Sequence, residues 1–220
     1  YNYGNPVLTN CTFSGNSADS GGGMYNYDYN GMICSPKLTN CILWGNTASS
    51  SGNEIYNDDS NNKPTIDTCI IKGGYSSYGT YTNIITADPK LMPLGNYGGS
   101  VQTIAVAEDS SAIGKGKVVE GLTTDARGFA RFSTPTIGAY EFIPIEISTH
   151  PQDSTVWENQ VASFVADTKL DGAIYQWQFS RDGSSWFDLE CTEKTYQFNA
   201  TLQQSGMLLR CKISDPNNVY

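Results

Sequence analysis

Apolar residues in the first third of the chain alternate over very short runs, and the runs recur. Pro6-Val-Leu-Thr-Asn-Cys11-Thr-Phe-Ser-Gly-Asn16-Ser-Ala18 returns as Pro36-Lys-Leu-Thr-Asn-Cys41-Ile-Leu-Trp-Gly-Asn46-Thr-Ala48. A fainter copy, Pro64-Thr-Ile-Asp-Thr-Cys69-Ile-Ile-Lys-Gly73, follows the second at nearly the same interval. No run carries a helical period. Gly, Asn, Ser, Thr and Tyr separate the apolar positions, as in half-buried strands. Recurrence at this interval marks a solenoid, in which each repeat buries its apolar face against its neighbours.

Leu8, Cys11 and Phe13 can all point inward if the chain bends once between the leucine and the cysteine. Leu38, Cys41 and Leu43 answer them, then Ile66, Cys69 and Ile71. Asn10 and Asn40 stand at the bend, and asparagine tolerates the left-handed conformation that a sharp bend needs. Stacked asparagines can also bond along the stack. The expected fold is all-β: a right-handed parallel β-helix, one coil per repeat, with strands about 4.8 Å apart. Cys11, Cys41 and Cys69 then share one column. Their parallel Cβ vectors, about 4.8 Å apart, exceed disulfide reach, so free packed thiols are expected.

Gly21-Gly-Gly-Met-Tyr-Asn26 followed by Leu-Thr-Asn-Cys-Xaa-Xaa-Xaa-Gly-Asn resembles the repeats of polymorphic outer-membrane-protein-like and pectate-lyase-like right-handed β-helices. The resemblance covers residues 1–86 and speaks to fold rather than function, because turn and stacking residues carry it. Tyr1-Asn2 matches the end of the Met-Tyr-Asn motif, which reads as a chain opening inside a repeat.

After Gly79 the period fades. Asp88-Pro-Lys-Leu91, Gly98-Gly99, Ser110-Ser-Ala-Ile113, Asp125-Ala-Arg-Gly128 and Ile137-Gly-Ala-Tyr-Glu141 follow in order. These five blocks closely resemble the choice-of-anchor Q segment, with Ser111 where that family usually has proline. In that family the segment ends bacterial surface β-helices, which implies a cell-surface protein. Residues 87–142 are therefore expected to cap the last coil and blunt its open edge. Asp125, Arg127, Arg131 and Glu141 read better as an Arg–carboxylate network within this cap than as catalytic groups.

From residue 143 the composition shifts, with Pro144 and Pro151 as breakers. Val161–Val165, Ile174–Phe179, Thr195–Phe198 and Met207–Ile213 read as strands at sandwich-like spacing. Tyr175, Trp177 and Phe179 alternate with glutamines; Leu209, Cys211 and Ile213 alternate with Arg210 and Lys212. Trp177 and Cys211 resemble the strand C tryptophan and strand F cysteine of immunoglobulin-like domains, and Tyr175-Gln-Trp-Gln-Phe-Ser-Arg-Asp-Gly-Ser-Ser-Trp186 resembles bacterial modules of that kind. No cysteine lies near Phe164, so the usual bridge is not expected, and Leu209 stands where the corner tyrosine would be. A Cys191–Cys211 pair is the alternative. The turn at Asp215-Pro-Asn-Asn218 precedes no further strand, which reads as a sandwich lacking its last strand. The domains expected are 1–86, 87–142 and 143–220.

Net charge is −9, divided as −3, −1 and −5 over those three segments. With 13 basic residues and no basic run, nucleic acid is not an expected partner. No apolar stretch of membrane-spanning length occurs, so no membrane contact is expected. The single histidine, His150, and the absence of Cys-Xaa-Xaa-Cys argue against zinc. No cofactor is expected, calcium being the one candidate, at Asp58 and Asp59 in a polar turn.

The repeats offer three lysines (Lys37, Lys63, Lys72) and no arginine, and Trp44 rather than an acid stands one repeat before Lys72. The leading reading is thus a non-catalytic, secreted or cell-surface structural or adhesin-like module. Its partners would be host or cell-surface glycans or proteins. A fragment of a polysaccharide lyase or glycoside hydrolase is one alternative; a carbohydrate-binding surface is another. Outward-facing Ile42, Trp44, Ile70 and Lys72 form the candidate binding stripe, unless a loop such as Tyr75–Tyr81 covers it.

Overall fold

The computed structural model describes residues 4–28, 31 and 33–215. The Tyr1-Asn2 match and the Pro216–Asn218 part of the final turn lie outside the described residues. The protein is all-β, with a three-residue 3-10 turn at Leu202–Gln204 as the only helical element among the described residues. The chain divides into two compact units, one ending at Phe142 and one starting at Ile143. No helix of the described residues is long and apolar enough to cross a membrane.

The first repeat forms β1 (Val7–Thr9), β2 (Thr12–Ser14), β3 (Ser17–Ser20) and β4 (Met24–Asn26). The second forms β5 (Lys37–Thr39), β6 (Ile42–Trp44), β7 (Thr47–Ser51) and β8 (Ile55–Asn57). Each strand pairs in parallel with its counterpart: Leu8 with Leu38, Phe13 with Leu43, Ala18 with Ala48, Met24 with Ile55. The third repeat contributes β9 (Thr65–Asp67) under β5 and β10 (Ile70–Ile71) under β6. The sharp bends fall at Asn10, Asn40 and Thr68, with φ of 54°, 52° and 55°. Asparagine side chains bond between repeats: Asn40 donates to Asn10, Asn16 to Asn46, and Asn26 to Asn57.

The period does not end at Gly79. β11 (Thr80–Thr82) pairs in parallel with β9, Asn83 repeats the bend at φ 54°, and Ile85 bridges to Ile70. This fourth layer is reached by a much shorter path, because the chain turns back at Gly73-Gly74 without forming counterparts of β7 and β8. Tyr75 and Ile84 pack against the inward cluster of Leu38, Cys41, Leu43, Ile66, Cys69 and Ile71. At this end the short return, not residues 87–142, supplies the covering side chains.

Residues 87–142 instead lie along the side of the β2–β6–β10 sheet. β12 (Leu91–Gly95) and β13 (Thr103–Val106) form an antiparallel hairpin. Tyr97, Ala105, Val106, Ala112, Ile137 and Tyr140 then cluster with Ile42 and Ile70. Gly138 sits where a Cβ would come 2.8 Å from both Ile42 Cδ1 and Thr12 Oγ1, and its φ is 101°. Only glycine permits this close approach. The Ala139 amide donates to Thr12 Oγ1, and Asn40 exchanges bonds with both Lys117 backbone groups. The expectation of an end cap is corrected accordingly: the outward isoleucines offer a second apolar face, and burying it stabilises more than leaving it wet.

In the second unit, β14 (Ile147–Thr149) pairs with β16 (Asp167–Thr168), and β15 (Val161–Val165) with β19 (Thr195–Asn199). β17 (Ile174–Ser180) lies between β18 (Phe187–Asp188) and β20 (Leu208–Ser214). Trp177 is fully buried, faces Cys211 across the ladder and donates Nε1–H to the Glu193 carbonyl. β20 alternates exposed and half-buried positions, Leu209, Cys211 and Ile213 being the half-buried ones. Gln178, between Trp177 and Phe179, is buried too, donating to Asp188 and accepting from Arg210.

Candidate functional site

The ionisable residues of the middle segment converge on two buried pairs. Arg127 Nε donates to Asp125 Oδ2 at 2.8 Å, and Arg131 Nη1 to Glu141 Oε2 at 3.1 Å. All four side chains are at most 4% exposed. Asp125 also accepts the backbone N–H groups of Arg127, Phe129 and Glu141. Arg127 donates to the carbonyls of Tyr97 and Glu141, and its guanidinium stacks 3.7 Å from the Tyr140 ring centre. Arg131 donates to the carbonyls of Thr136 and Gly138. Glu141 accepts from Thr136 N and Oγ1. Burial raises its pKa, and the Thr136 donors and the Arg131 charge oppose that rise. Each of these charges is spent on fixing loop backbone, so no acid or base of this group faces solvent for proton transfer.

The candidate stripe is corrected. Ile42 and Ile70 are 1% and 0% exposed, covered by Tyr97, Val106, Ile137 and Tyr140 rather than by the Tyr75–Tyr81 loop. Trp44 is half-buried against the same cluster, with Lys72 Nζ 6.0 Å from its ring centre. Lys72 is the one exposed residue of the four.

Asp58 and Asp59 hold their own turn together. Asp58 Oδ1 accepts from Asp28 N and Asn62 Nδ2, and Asp59 Oδ1 accepts from Asn61 N. Among the described residues, no three His, Cys, Asp or Glu side chains group as a metal site. All six cysteines are free. Cys41 donates to the Thr39 carbonyl; the hydrogen bond with Cys11 lowers its pKa, but the Cys69 thiol and burial outweigh that and push it up to about 12. Cys34, buried beside the stack, donates to the Gly4 carbonyl.

A further site lies where the second repeat loses its stacked neighbour. Asn53-Glu54 occupies the repeat position of Gly22-Gly23, since Met24 pairs with Ile55. A Cβ at Gly22 or Gly23 would meet the backbone carbonyl of Asn53 or Glu54 at 2.6 Å. Side chains are thus excluded where a repeat is stacked beneath. No described strand lies beneath β7 and β8, so the space past Asn53 and Glu54 is left open. Cavities of about 340 and 260 Å³ are both lined by Asn53, Glu54 and Lys72. Glu54 is 6% exposed and accepts from Gly45 N and Asn46 Nδ2. The Gly-Gly to Asn-Glu exchange between aligned repeats was the sequence signal for this notch.

The second unit holds a cleft of about 310 Å³, lined in part by Phe164, Phe198, Met207 and Leu209. Comparison with protein-family models, with curated proteins and with solved structures found no match.

Proposed function

We propose that the chain is a non-catalytic structural or adhesin-like module of a secreted or bacterial cell-surface protein. In this reading the stacked repeats are coils of a right-handed parallel β-helix. The segment 87–142 is a choice-of-anchor Q-like sleeve on their flank, and residues from 143 onward form an immunoglobulin-like spacer. The observation that carries it is the fate of Asp125, Arg127, Arg131 and Glu141. The chain's best acid–base constellation is buried and committed to backbone carbonyls and amides. A general acid or base must reach the proton it moves, and these groups cannot. Stacked repeats joined to a separate unit suit a load-bearing or presenting role.

The test is turnover. The chain is incubated with polygalacturonate and with neutral polysaccharides, with and without calcium, and reducing ends and unsaturated products are measured. No product above buffer is expected. Product formation that Asp125→Asn or Glu141→Gln abolishes, in a variant that stays folded, would overturn the reading in favour of a polysaccharide-active enzyme.

A further inference from the structure

We infer that the notch around Asn53, Glu54 and Lys72 binds a neutral saccharide unit. The notch exists because the third repeat turns back at Gly73-Gly74, leaving β7 and β8 without a stacked neighbour. Glycines stand among the side chains of its walls. A Cβ at Gly73 would meet nothing within 4 Å, and one at Gly45 only Ser14 Oγ at 3.9 Å. Gly45 and Gly73 therefore line the larger cavity with no side chain of their own in the way.

The side chains complement hydroxyl groups. An ionised carboxylate offers about four acceptor sites, and Glu54 uses one on each oxygen, for Gly45 N and Asn46 Nδ2. Asn53 Oδ1 accepts from Ala48 N, while its amide donors have no acceptor among the described residues. Lys72 Nζ likewise finds no carboxylate within salt-bridge reach among the described residues, its nearest feature being the Trp44 ring. Glu54 as acceptor and Asn53 and Lys72 as donors thus line the same two cavities, as hydroxyl groups require. Tyr75, half-buried, lines the smaller cavity beside them. Each cavity lies near the lower end of the volume range for small-ligand sites, about 300 Å³.

Charge selects among sugars. One acid and one base cancel locally, while the chain's net charge of −9 disfavours anions at longer range. A uronate would bring a second carboxylate into a notch that already holds Glu54 beside the single ammonium of Lys72. A neutral unit meets no such cost.

The test uses the whole chain, isotopically labelled, titrated with neutral trisaccharides of glucose, galactose, mannose and xylose, and with trigalacturonate. At least one neutral trisaccharide should shift the amides of Gly45, Asn53, Gly73 and Gly74 with a Kd of about 1 mM or tighter. Trigalacturonate should bind at least about tenfold more weakly, a difference of about 1.4 kcal/mol. Thr47→Trp fills the larger cavity from an exposed position of β7, and Lys72→Met removes the donor. Each should weaken binding about tenfold or more while leaving the melting temperature within about 2 °C. No shift at those amides with any neutral trisaccharide, undiminished binding in both variants, or preferred binding of trigalacturonate would each overturn the inference. Binding without turnover leaves the non-catalytic reading standing, whereas turnover of a bound neutral sugar ends that reading and keeps the site.

Discussion

Asp125→Ala is the perturbation that probes the middle segment most severely. Asp125 is the acceptor for three backbone N–H groups, from Arg127 at 2.8 Å, Phe129 at 3.1 Å and Glu141 at 2.9 Å. It is also the counter-ion of a guanidinium that is 2% exposed. Removing one partner of a buried pair costs about 3–5 kcal/mol, because the other charge stays buried. Each orphaned buried donor adds about 1–3 kcal/mol, less where the loop relaxes toward water. A loss of about 4 kcal/mol or more is expected from a stability of order 5–15 kcal/mol. At roughly 2–4 °C per kcal/mol for a unit of this size, the melting temperature should fall by about 10 °C or more.

Arg127→Met should cost less, because the backbone bonds to Asp125 survive. The double variant should cost less than the sum of the singles, with a coupling of about 1–3 kcal/mol. Urea unfolding read by hydrogen exchange at the β2, β6 and β10 amides isolates the first unit's transition. A cost below about 1 kcal/mol for Asp125→Ala, or strict additivity with Arg127→Met, would refute the reasoning.

Other outcomes follow from the same geometry. Gly138→Ala should destabilise the first unit by about 1–3 kcal/mol, since its φ of 101° and the 2.8 Å approach to Ile42 and Thr12 leave no room for a methyl group; equal thermal stability in calorimetry would contradict this. The Lys117 ammonium, with the Thr82 and Thr68 hydroxyls, holds the Asp67 carboxyl at about 2, below its ordinary 3.8. A depressed carboxyl stabilises the fold above its unfolded pKa, and that contribution is lost as pH falls from about 4 toward 2. Asp67→Asn should therefore flatten the stability profile in that window, with a small effect at high salt because Lys117 is half exposed. Non-reducing mass spectrometry should find no Cys11–Cys41 or Cys41–Cys69 crosslink, and Cys41 should resist alkylation at pH 8 until the chain is unfolded. Thiol titration of the denatured chain without reductant should also count Cys191 and Cys211; their loss from the count would reveal a bridge.

The stacked repeats were legible because their turns are chemically demanding. A bend at φ near 55° admits few residue types, so Asn10 and Asn40 recur in register with the apolar positions around them. The fourth layer was not legible. Tyr81, Asn83 and Ile84 match Ile66, Thr68 and Cys69 only as broad types, and the interval shrinks well below that of the earlier repeats. Alternation along β6 correctly assigned Leu43 inward and Ile42 outward, but it carries no information about what lies outside. The partners of Ile42 are Val106, Ile137 and Tyr140, all distant from it in sequence. An Arg–carboxylate network among Asp125, Arg127, Arg131 and Glu141 was legible as chemistry, since a buried guanidinium needs a carboxylate, but which arginine takes which acid was not. The notch left one trace, Asn53-Glu54 in place of Gly22-Gly23, but its opening depends on strands that the third repeat does not form among the described residues.

Burial of the repeat sheet's outward face by the chain's own middle segment is what distinguishes a sleeve from a free binding stripe. A double-mutant cycle between Ile42→Ala and Ile137→Ala tests it most directly, since both side chains are fully buried in one cluster. Each single change should cost about 2–5 kcal/mol, and the pair should show a coupling of about 0.5 kcal/mol or more. A nearly cost-free Ile42→Ala, with no coupling to Ile137→Ala, would contradict the sleeve and return Ile42 to the surface.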